Sequence, residues 1–274
     1  TGQDPSVVAA THAGFPVVDG VWSFLIGVRA MFRYRDFLSR GRAEVDGPRE
    51  RIVASWRARL IDGTEIGEAS ALRMLEDFGI RTSKPVTADS RATTLEAARR
   101  CGYPVVLKIA GAEFVHKTDV GGVVLNVGND AACAAAYQQL SASFGPKVLV
   151  APMITGGVEM LLGAKTDPQF GPVIVIGFGG VHAEILRDVV LALPPIDAER
   201  TRRLLERLRL RPLLDGARGR SAVDVTAFCD TVAKFAALVS ALDGRFAEID
   251  VNPVIVNAHG ATAVDAFVIA TRNQ

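Results

Sequence analysis

The chain has 274 residues, of which 49% are hydrophobic and 22% charged, and 31 basic and 30 acidic residues leave a formal net charge of +1. The apolar content excludes a mainly disordered chain, and the balanced charges argue against a nucleic-acid binder held by bulk charge. The length suits one large domain or two ordinary ones. A disulfide framework and a CxxC metal site are excluded, because the three cysteines are odd in number and far apart in sequence: Cys101, Cys133 and Cys229.

Residues 1–44 differ in pattern from the rest of the chain. A helix is predicted over 21–39, where apolar side chains recur on one face. Residues 45–63 are rich in Gly, Arg and Asp and contain a proline, which is typical of a linker, although Ile52, Val53 and Trp56 indicate that part of it packs against another element. The first residues lack the basic start and apolar core of a secretory signal, and the apolar stretches are too short to span a bilayer. We therefore expect a cytoplasmic protein.

From residue 64 onward, helical and strand patterns mix without regular alternation. The predicted helices are 64–78, 95–101, 131–143, 197–210 and 224–242. The predicted strands are 104–109, 122–127, 148–153, 160–164, 173–176, 248–251, 254–256 and 261–264, with a hairpin turn at 257–260. Glycine-containing hairpins argue against a doubly wound parallel sheet, so the pattern predicts an α+β architecture with mixed or antiparallel sheets.

Four segments of the sequence, which we call clusters, are candidates for ligand binding or catalysis. The first contains a lysine inside an apolar strand. Lys108 follows Pro104-Val-Val-Leu in the sequence. Burial of an ammonium group is unfavourable unless an anion meets it, and a phosphate would serve. The alternative is a lysine on the exposed face of the strand. If Lys108 is the buried phosphate ligand, Lys108→Met keeps most of the buried stem but removes the charge, so stability should hold or rise.

Two glycine-rich turns form the second and third clusters. The segment His116-Lys-Thr-Asp-Val-Gly121-Gly122 has two glycines whose amides could approach an anion, although a lone histidine is more often structural. The segment Gly177-Phe-Gly-Gly180 follows an apolar strand and precedes Glu184 and Asp188. Its GFGGVH order is not the GxGxxG that opens a helix in dinucleotide-binding folds, which excludes a Rossmann NAD site here.

The fourth cluster is Glu248-Ile-Asp250-Val-Asn252-Pro, followed by Asp265 on the next strand. Strand alternation places the three polar residues on one face, and a hairpin brings Asp265 back beside them. Two or three carboxylate and amide oxygens are what a Mg²⁺ ion on a nucleotide phosphate takes from a protein. The alternative is a polar hairpin face in solvent.

In this order and spacing, the four clusters resemble the ATP-grasp β portion of the ADP-forming (NDP-forming) acyl-CoA synthetases, relatives of succinyl-CoA synthetase. The resemblance covers residues 64–274. It rests on seven segments: Pro104-Val-Val-Leu-Lys108, His116-Lys-Thr-Asp-Val-Gly-Gly-Val123, Gly157-Val-Glu159 with Gly163, Asp167-Pro-Gln-Phe-Gly-Pro172, Gly177-Phe-Gly-Gly180, Leu213-Leu-Asp-Gly-Ala-Arg-Gly219 and Glu248-Ile-Asp-Val-Asn-Pro253.

The resemblance implies an α+β, two-lobed ATP-grasp fold with the nucleotide between the lobes. The first lobe would be 64–150 and the second 151–274. Residues 1–44 resemble the end of the CoA-ligase domain that precedes this portion in fused members. They would therefore be the C-terminal tail of a CoA-ligase-type α/β domain, joined by the linker 45–63.

The implied reaction interconverts acyl-CoA, ADP and phosphate with a carboxylic acid, CoA and ATP, through acyl phosphate and phosphohistidine. The chain would supply the site for ATP or ADP with Mg²⁺ in an ADP-forming acid–thiol ligase, and it would be inactive alone. Its partner would be the CoA-binding and CoA-ligase domains, or a subunit, carrying the first phosphohistidine and bringing CoA and the acid. Homo- and hetero-oligomers both stay open, and neither nucleic acid nor a membrane is an expected partner.

Residue by residue, the resemblance implies a site drawn from several motifs. The catalytic residues would be His116, as a phosphoryl acceptor on an exposed loop, and Asp250, as an acid near the phosphohistidine. Asn252 and Asp265 would hold Mg²⁺. The nucleotide would contact Lys108, Gly121 and Gly122 through its phosphates, Val150, Ala151 and Met153 along the adenine slot, and Glu159 at the ribose.

The sequence departs from the family pattern at two places, and the first of them, the hinge, supports a second function. The hinge has Val150-Ala151-Pro152 where relatives often carry Gln, and the loop 110–114 lacks the usual Ser. The alternative is a non-ligating, regulatory nucleotide-binding module of a fused acetyltransferase-type protein. A third class is a structural or interaction protein that binds no nucleotide, and stabilisation by Mg-ADP would exclude it.

Overall fold

Contacts within the computed structural model divide the chain into two units, Thr1–Ala43 and Glu44–Gln274. The residues that the structure describes are 4–15, 17, 20–39, 47–61, 63–111, 117, 120–180, 188–216 and 221–272. The first unit contains α1 (Pro5–His12) and α2 (Val21–Leu38), which confirms the helix predicted there. None of the helices in these ranges combines the length and the apolar character that a membrane crossing needs.

The second unit holds two sheets and six further α-helices within the described ranges. In chain order its elements are α3 (Glu50–Arg59), β1 (Glu65–Ile66), α4 (Glu68–Asp77), β2 (Val86–Ala88), α5 (Arg91–Cys101), β3 (Val105–Ile109), β4 (Val123–Val127), α6 (Asp130–Phe144), β5 (Val148–Pro152), β6 (Val158–Asp167), β7 (Gly171–Phe178), β8 (Val189–Ala192), α7 (Ala198–Leu205), a 3-10 turn (Arg211–Leu213), α8 (Val225–Ala241), β9 (Phe246–Asn257), β10 (Gly260–Ala263) and β11 (Phe267–Ala270).

The two sheets define a larger and a smaller lobe. The larger sheet has seven strands in the order β1-β11-β9-β6-β7-β8, with β10 also paired to β9, and the smaller sheet has the order β2-β5-β3-β4. All pairs between these named strands are antiparallel. The prediction of an α+β fold with antiparallel sheets is therefore confirmed.

The smaller lobe consists of the four-stranded sheet with α5 and α6 packed on it. Side-chain caps fix where both helices begin: Ser90 and Thr93 form a reciprocal capping box at α5, and Asn129 accepts the amide of Ala132 at 2.9 Å at α6. Alanines on the two helices allow close packing on the strands, and the core residues Leu107, Ile109, Leu140, Val148 and Val150 are fully buried there.

The larger lobe is organised around β9, which has twelve residues. One edge of β9 pairs with β6, and the other pairs with β10 and then β11. The pairing of Gly260 with Asn257 confirms the hairpin predicted at 257–260. Helix α8 packs on this sheet and buries eight of its residues, so the centre of the lobe is a continuous apolar core.

A β-bulge lies in the middle of β9. Met160 on β6 pairs with Val254, whereas Leu162 pairs with Val251, so Asn252 and Pro253 together face a single residue of β6. A bulge adds one residue to one strand and redirects the side chains around it. The bulge therefore separates two runs of alternating buried residues and leaves the partly exposed Asn252-Pro253 step between them.

The boundary predicted for the first lobe, 64–150, is wrong at its start. Strand β1 pairs with β11 of the larger sheet, and α4 buries Leu72 and Leu75 in the core of the larger lobe. The helix predicted from Thr64 begins at Glu68, with Gly67 as its N-cap, because 65–66 belong to the strand.

The linker predicted over 45–63 contains helix α3. Its Trp56 is 1% exposed, packs in the core of the larger lobe, and donates its indole N–H to Asp77 Oδ2 at 3.0 Å. The charged residues that suggested a linker lie on the exposed side of α3. Trp56 therefore anchors this polar segment together with the buried Leu60 and the partly buried Ile52 and Val53.

Trp56→Ala should lower the free energy of unfolding by about 3–5 kcal/mol, because it removes a fully buried indole and leaves a cavity. Trp22→Ala is the matched control, since Trp22 is 80% exposed on α2. Urea unfolding followed by circular dichroism measures both variants without relying on tryptophan fluorescence. Equal stability of the two variants would mean that α3 does not belong to the core.

Candidate functional site

Four charged side chains meet where the two lobes join. Lys108, at the end of β3 in the smaller lobe, donates to Glu68 Oε1 at 2.7 Å, to the carbonyl of Val264 at 2.8 Å and to Asp265 Oδ2 at 2.9 Å. Lys117 donates to the other oxygen of Glu68 at 2.5 Å. The two lysines therefore belong to the smaller lobe and their carboxylate partners to the larger one. We call this group the junction cluster.

The predicted anion partner of Lys108 is present, but within the described residues it is a pair of carboxylates. Lys108 is 8% exposed, which excludes the alternative of a lysine on an exposed strand face. Burial acts to lower the pKa of Lys108, and the charges of Glu68 and Asp265 more than offset it, so this pKa is raised above its ordinary value. The ammonium group is therefore charged, and its three N–H donors all have acceptors.

Glu68 is held at the first position of α4. Because the amide dipoles of a helix leave partial positive charge at its N-terminus, a carboxylate there is favourable. Its side chain is 2% exposed, against 31% for Asp265, which lies between β10 and β11. Glu68 is thus the enclosed carboxylate of the junction cluster, and Asp265 is the one that reaches solvent.

The turn that carries Lys117 is closed by its own backbone. The amide of Gly122 donates to the carbonyl of Lys117 at 2.7 Å, and the amide of Ile109 donates to the carbonyl of Gly122 at 2.9 Å. A Cβ on Gly122 would lie 2.5 Å from Ile109 Cδ1, so only glycine fits. The amide of Gly122 is therefore used within the turn, whereas Gly121 is exposed with φ of +73°. His116 lies outside the described residues.

The predicted magnesium pair consists of Asn252 on β9 and Asp265 in the segment between β10 and β11. The pairings on either side of this segment, Ala263 with Val254 and Phe267 with Asp250, keep one register, which places Asp265 across from Asn252. Both side chains are partly exposed. In the described residues no three acidic, His or Cys side chains converge as a metal site would require. An amide and a carboxylate oxygen fit Mg²⁺, which keeps several waters and takes its other ligands from phosphates.

Two glycines leave room for the polar side chains of this face. A Cβ on Gly179 would lie 3.0 Å from Asn252 Oδ1, whereas one on Gly163 would meet Asp250 Oδ1 at an ordinary contact distance of 3.6 Å. A Cβ on Gly180 would clash with the carboxylate of Glu159, whose carbonyl accepts the amide of Gly179 at 2.8 Å. The Gly177–Gly180 turn therefore lies against Asn252 and Glu159. Glu184, predicted beyond it, is outside the described residues.

The hinge residues differ in what they can offer a ligand. The side chain of Val150 is fully buried in the core of the smaller lobe, and Ala151 is 6% exposed. Met153 is partly exposed, and its amide donates to the carbonyl of Pro104 at 2.9 Å. Only Met153 and the exposed Glu159 thus present substantial side-chain surface from this group.

Glu68 is the member of the junction cluster that the motifs do not reveal. Its partners are Lys108 and Lys117, forty and forty-nine residues further along the chain. One signal was available: at helical spacing Glu68 falls on the same face as Leu72 and Leu75, which are buried. An acidic residue on the apolar face of a helix predicts a buried cation as its partner.

Comparisons with known proteins agree with this architecture. A family model described as an ATP-grasp domain matches residues 58–269. Acetate–CoA ligase [ADP-forming] I of Archaeoglobus fulgidus is 34% identical over 264 residues, which cover 90% of this chain and 38% of the relative. The beta subunit of acetate–CoA ligase [ADP-forming] II of Pyrococcus furiosus is 32% identical over 232 residues, which cover 80% of this chain and 95% of that subunit.

A solved structure of the Ca. Korarchaeum cryptofilum dinucleotide forming acetyl-coenzyme A synthetase 1 superimposes with a TM-score of 0.69. It is 30% identical and covers 81% of this chain and 99% of that chain. That structure is in complex with coenzyme A and Mg-AMPPCP, with its phosphohistidine segment pointing towards the nucleotide binding site. This chain spans between 29% and 38% of the length of the first three curated relatives.

Lys108→Met should destabilise the protein, contrary to the expectation from sequence. The change leaves Asp265 without its cation and Glu68 with Lys117 alone. We expect a loss of about 3 kcal/mol, the lower end for breaking a buried ion pair, because one cation remains beside Glu68. Urea unfolding measures it, with the exposed Lys165→Met on β6 as control. Unchanged stability of Lys108→Met would restore the sequence-based expectation.

Proposed function

This chain is a member of the ATP-grasp family, and we propose that it is the nucleotide-binding part of an ADP-forming acyl-CoA ligase. One observation supports the proposal most: the buried ammonium of Lys108 lies 2.9 Å from Asp265, and the strand pairings on either side of Asp265 place it across from Asn252. A cation for phosphates and oxygen ligands for Mg²⁺ are thus next to each other. The relatives that match are ligases, so the regulatory alternative is not favoured.

In this proposal, Mg-ADP or Mg-ATP binds between the two lobes. Lys108 would donate to nucleotide phosphate oxygens, and Gly121 would offer a backbone amide on the same side. Asn252 and Asp265 would hold Mg²⁺, which neutralises phosphate charge when it is bound. Met153 and Glu159 would contact the adenine and ribose, with Val150 and Ala151 forming the wall behind them.

We assign the phosphoryl transfer to His116 with Asp250. A neutral imidazole nitrogen would form the new N–P bond as the N–P bond to the phosphohistidine of the partner breaks. In the second step an oxygen of the ADP β-phosphate would form a P–O bond, and the N–P bond to His116 would break. Asp250, on the same strand as Asn252, would hold the other imidazole nitrogen and so fix its tautomer.

The proposed partner is the CoA-binding and CoA-ligase portion, which would bring CoA and the carboxylic acid. Residues 1–44 would be the tail of that portion. Helix α2 supports this, because it has no buried residue and exposes a series of large apolar side chains: Trp22, Phe24, Leu25, Ile26, Met31, Phe32, Phe37 and Leu38.

Mg-ADP should stabilise the protein against heat, by about 2.7 kcal/mol when its free concentration is 100 times the dissociation constant. Asp265→Asn should weaken Mg-ADP binding by roughly tenfold or more, since loss of even a supporting residue at a metal site costs that much. Isothermal titration measures the affinity, and the exposed Asp243→Asn is the control. If Mg-ADP neither binds nor stabilises the wild type, the proposed function is wrong.

His116→Ala should abolish ATP formation when the chain acts with its CoA-ligase partner, while Mg-ADP binding persists, because only the phosphoryl acceptor is removed. ATP production from acyl-CoA, ADP and phosphate measures the step, and the exposed His259→Ala is the matched control. Full turnover by His116→Ala would show that the phosphoryl group passes directly from the partner's histidine to ADP.

A further inference from the structure

Glu68 is the shared partner of both buried lysines in the junction cluster. Each of its carboxylate oxygens accepts a hydrogen bond from one ammonium group: Oε1 from Lys108 at 2.7 Å and Oε2 from Lys117 at 2.5 Å. The two lysines come from different segments of the smaller lobe, strand β3 and the glycine turn before β4. A single carboxylate therefore sets the position of both cations.

The two carboxylates of the junction cluster differ in how freely they can exchange partners. The ammonium of Lys108 has three donors, and all three are in use. A phosphate oxygen can bind this ammonium only by displacing an acceptor. Asp265 is the more accessible carboxylate, because 31% of its side chain is exposed against 2% for Glu68. Asp265 is therefore the acceptor that a phosphate oxygen can displace from Lys108.

Glu68 is also anchored independently of any ligand. It stands at the first position of α4, whose Leu72 and Leu75 are buried in the core of the larger lobe. The helix N-terminus favours its negative charge. Removing the carboxylate would leave two buried cations with one fewer anion, and such unpaired charges relocate or draw in water.

We propose that Glu68 is a positioning residue for nucleotide binding: it holds Lys108 and Lys117 directed at the phosphate site when Asp265 turns to the metal. This inference rests on the proposed function. In this proposal Lys117 is a second cation of the phosphate site. Through its contact with Lys117, Glu68 also holds the start of the turn that ends at Gly122. Glu68 itself contacts no phosphate.

The test compares Glu68→Gln and Glu68→Asp with Glu65→Gln, an exposed glutamate three residues earlier. Isothermal titration gives the affinity for Mg-ADP. Nitrogen-15 NMR of the lysine ammonium groups, assigned through single substitutions of Lys108 and Lys117, reports their contacts without any nucleotide. Glu68→Gln keeps the shape and removes the charge, whereas Glu68→Asp keeps the charge and shortens the side chain by one methylene.

Glu68→Gln should raise the dissociation constant for Mg-ADP about tenfold, the lower end of the cost of losing the partner behind a ligating side chain. It should also shift both ammonium signals. Glu68→Asp should bind better than Glu68→Gln, and Glu65→Gln should match the wild type in both measurements. If Glu68→Asp recovers part of the Mg-ADP affinity that Glu68→Gln loses, the charge of residue 68 is what positions the lysines. A residue that acted only through packing would not show this recovery.

Each other outcome has a distinct meaning. If the wild type does not bind Mg-ADP, the proposed function fails and the role of Glu68 fails with it. If the wild type binds and Glu68→Gln binds equally well or more tightly, only the positioning role is overturned, and tighter binding would show that Glu68 competes with phosphate. If Glu68→Gln does not fold, Glu68→Asp decides: unchanged affinity and unchanged ammonium signals would overturn the proposal.

Discussion

The fold depends on one electrostatic constraint: two ammonium groups buried at the lobe junction must meet anions. Removal of Lys108 and Lys117 from water is unfavourable unless carboxylates replace the water. The smaller lobe supplies the cations and the larger lobe supplies Glu68 and Asp265, so neither lobe satisfies its charges alone. This mutual dependence fixes the end of β3 against the start of α4. It also places the polar face of β9 at the same junction.

The remainder of the site depends on glycines as much as on its polar side chains. Gly179 and Gly180 leave space in which Asn252 and Glu159 lie against the backbone. A side chain at either position would crowd an oxygen that the proposed nucleotide and metal contacts require. The polar face of β9 is therefore shaped by neighbouring strands, while the β-bulge sets which of its side chains point there.

Sequence patterns predicted the parts of the fold that have a local cause. Apolar periodicity predicted helix α2, and turn residues predicted the hairpin at 257–260. The mixture of both patterns predicted the α+β class. Helix α3 was interpreted as a linker because its composition is polar. Its apolar residues Ile52, Val53 and Trp56 indicated that part of it packs, and the structure shows that they pack on the core of the larger lobe. Glu68 was not identified because its partners are distant in sequence. The proximity of Asn252 and Asp265 was predictable because a hairpin relates them; the partners of Lys108 were not.

The bulge in β9 has a consequence for how this segment tolerates change. On either side of Asn252-Pro253 the buried residues alternate, with Ile249 and Val251 before the step and Val254 and Val256 after it. Side chains repeat every two residues along a strand, so loss or gain of one residue here would exchange the inner and outer faces on one side of the step. The apolar core and the polar face would then be disrupted together. We expect natural variation in this strand to consist of substitutions, with its length preserved.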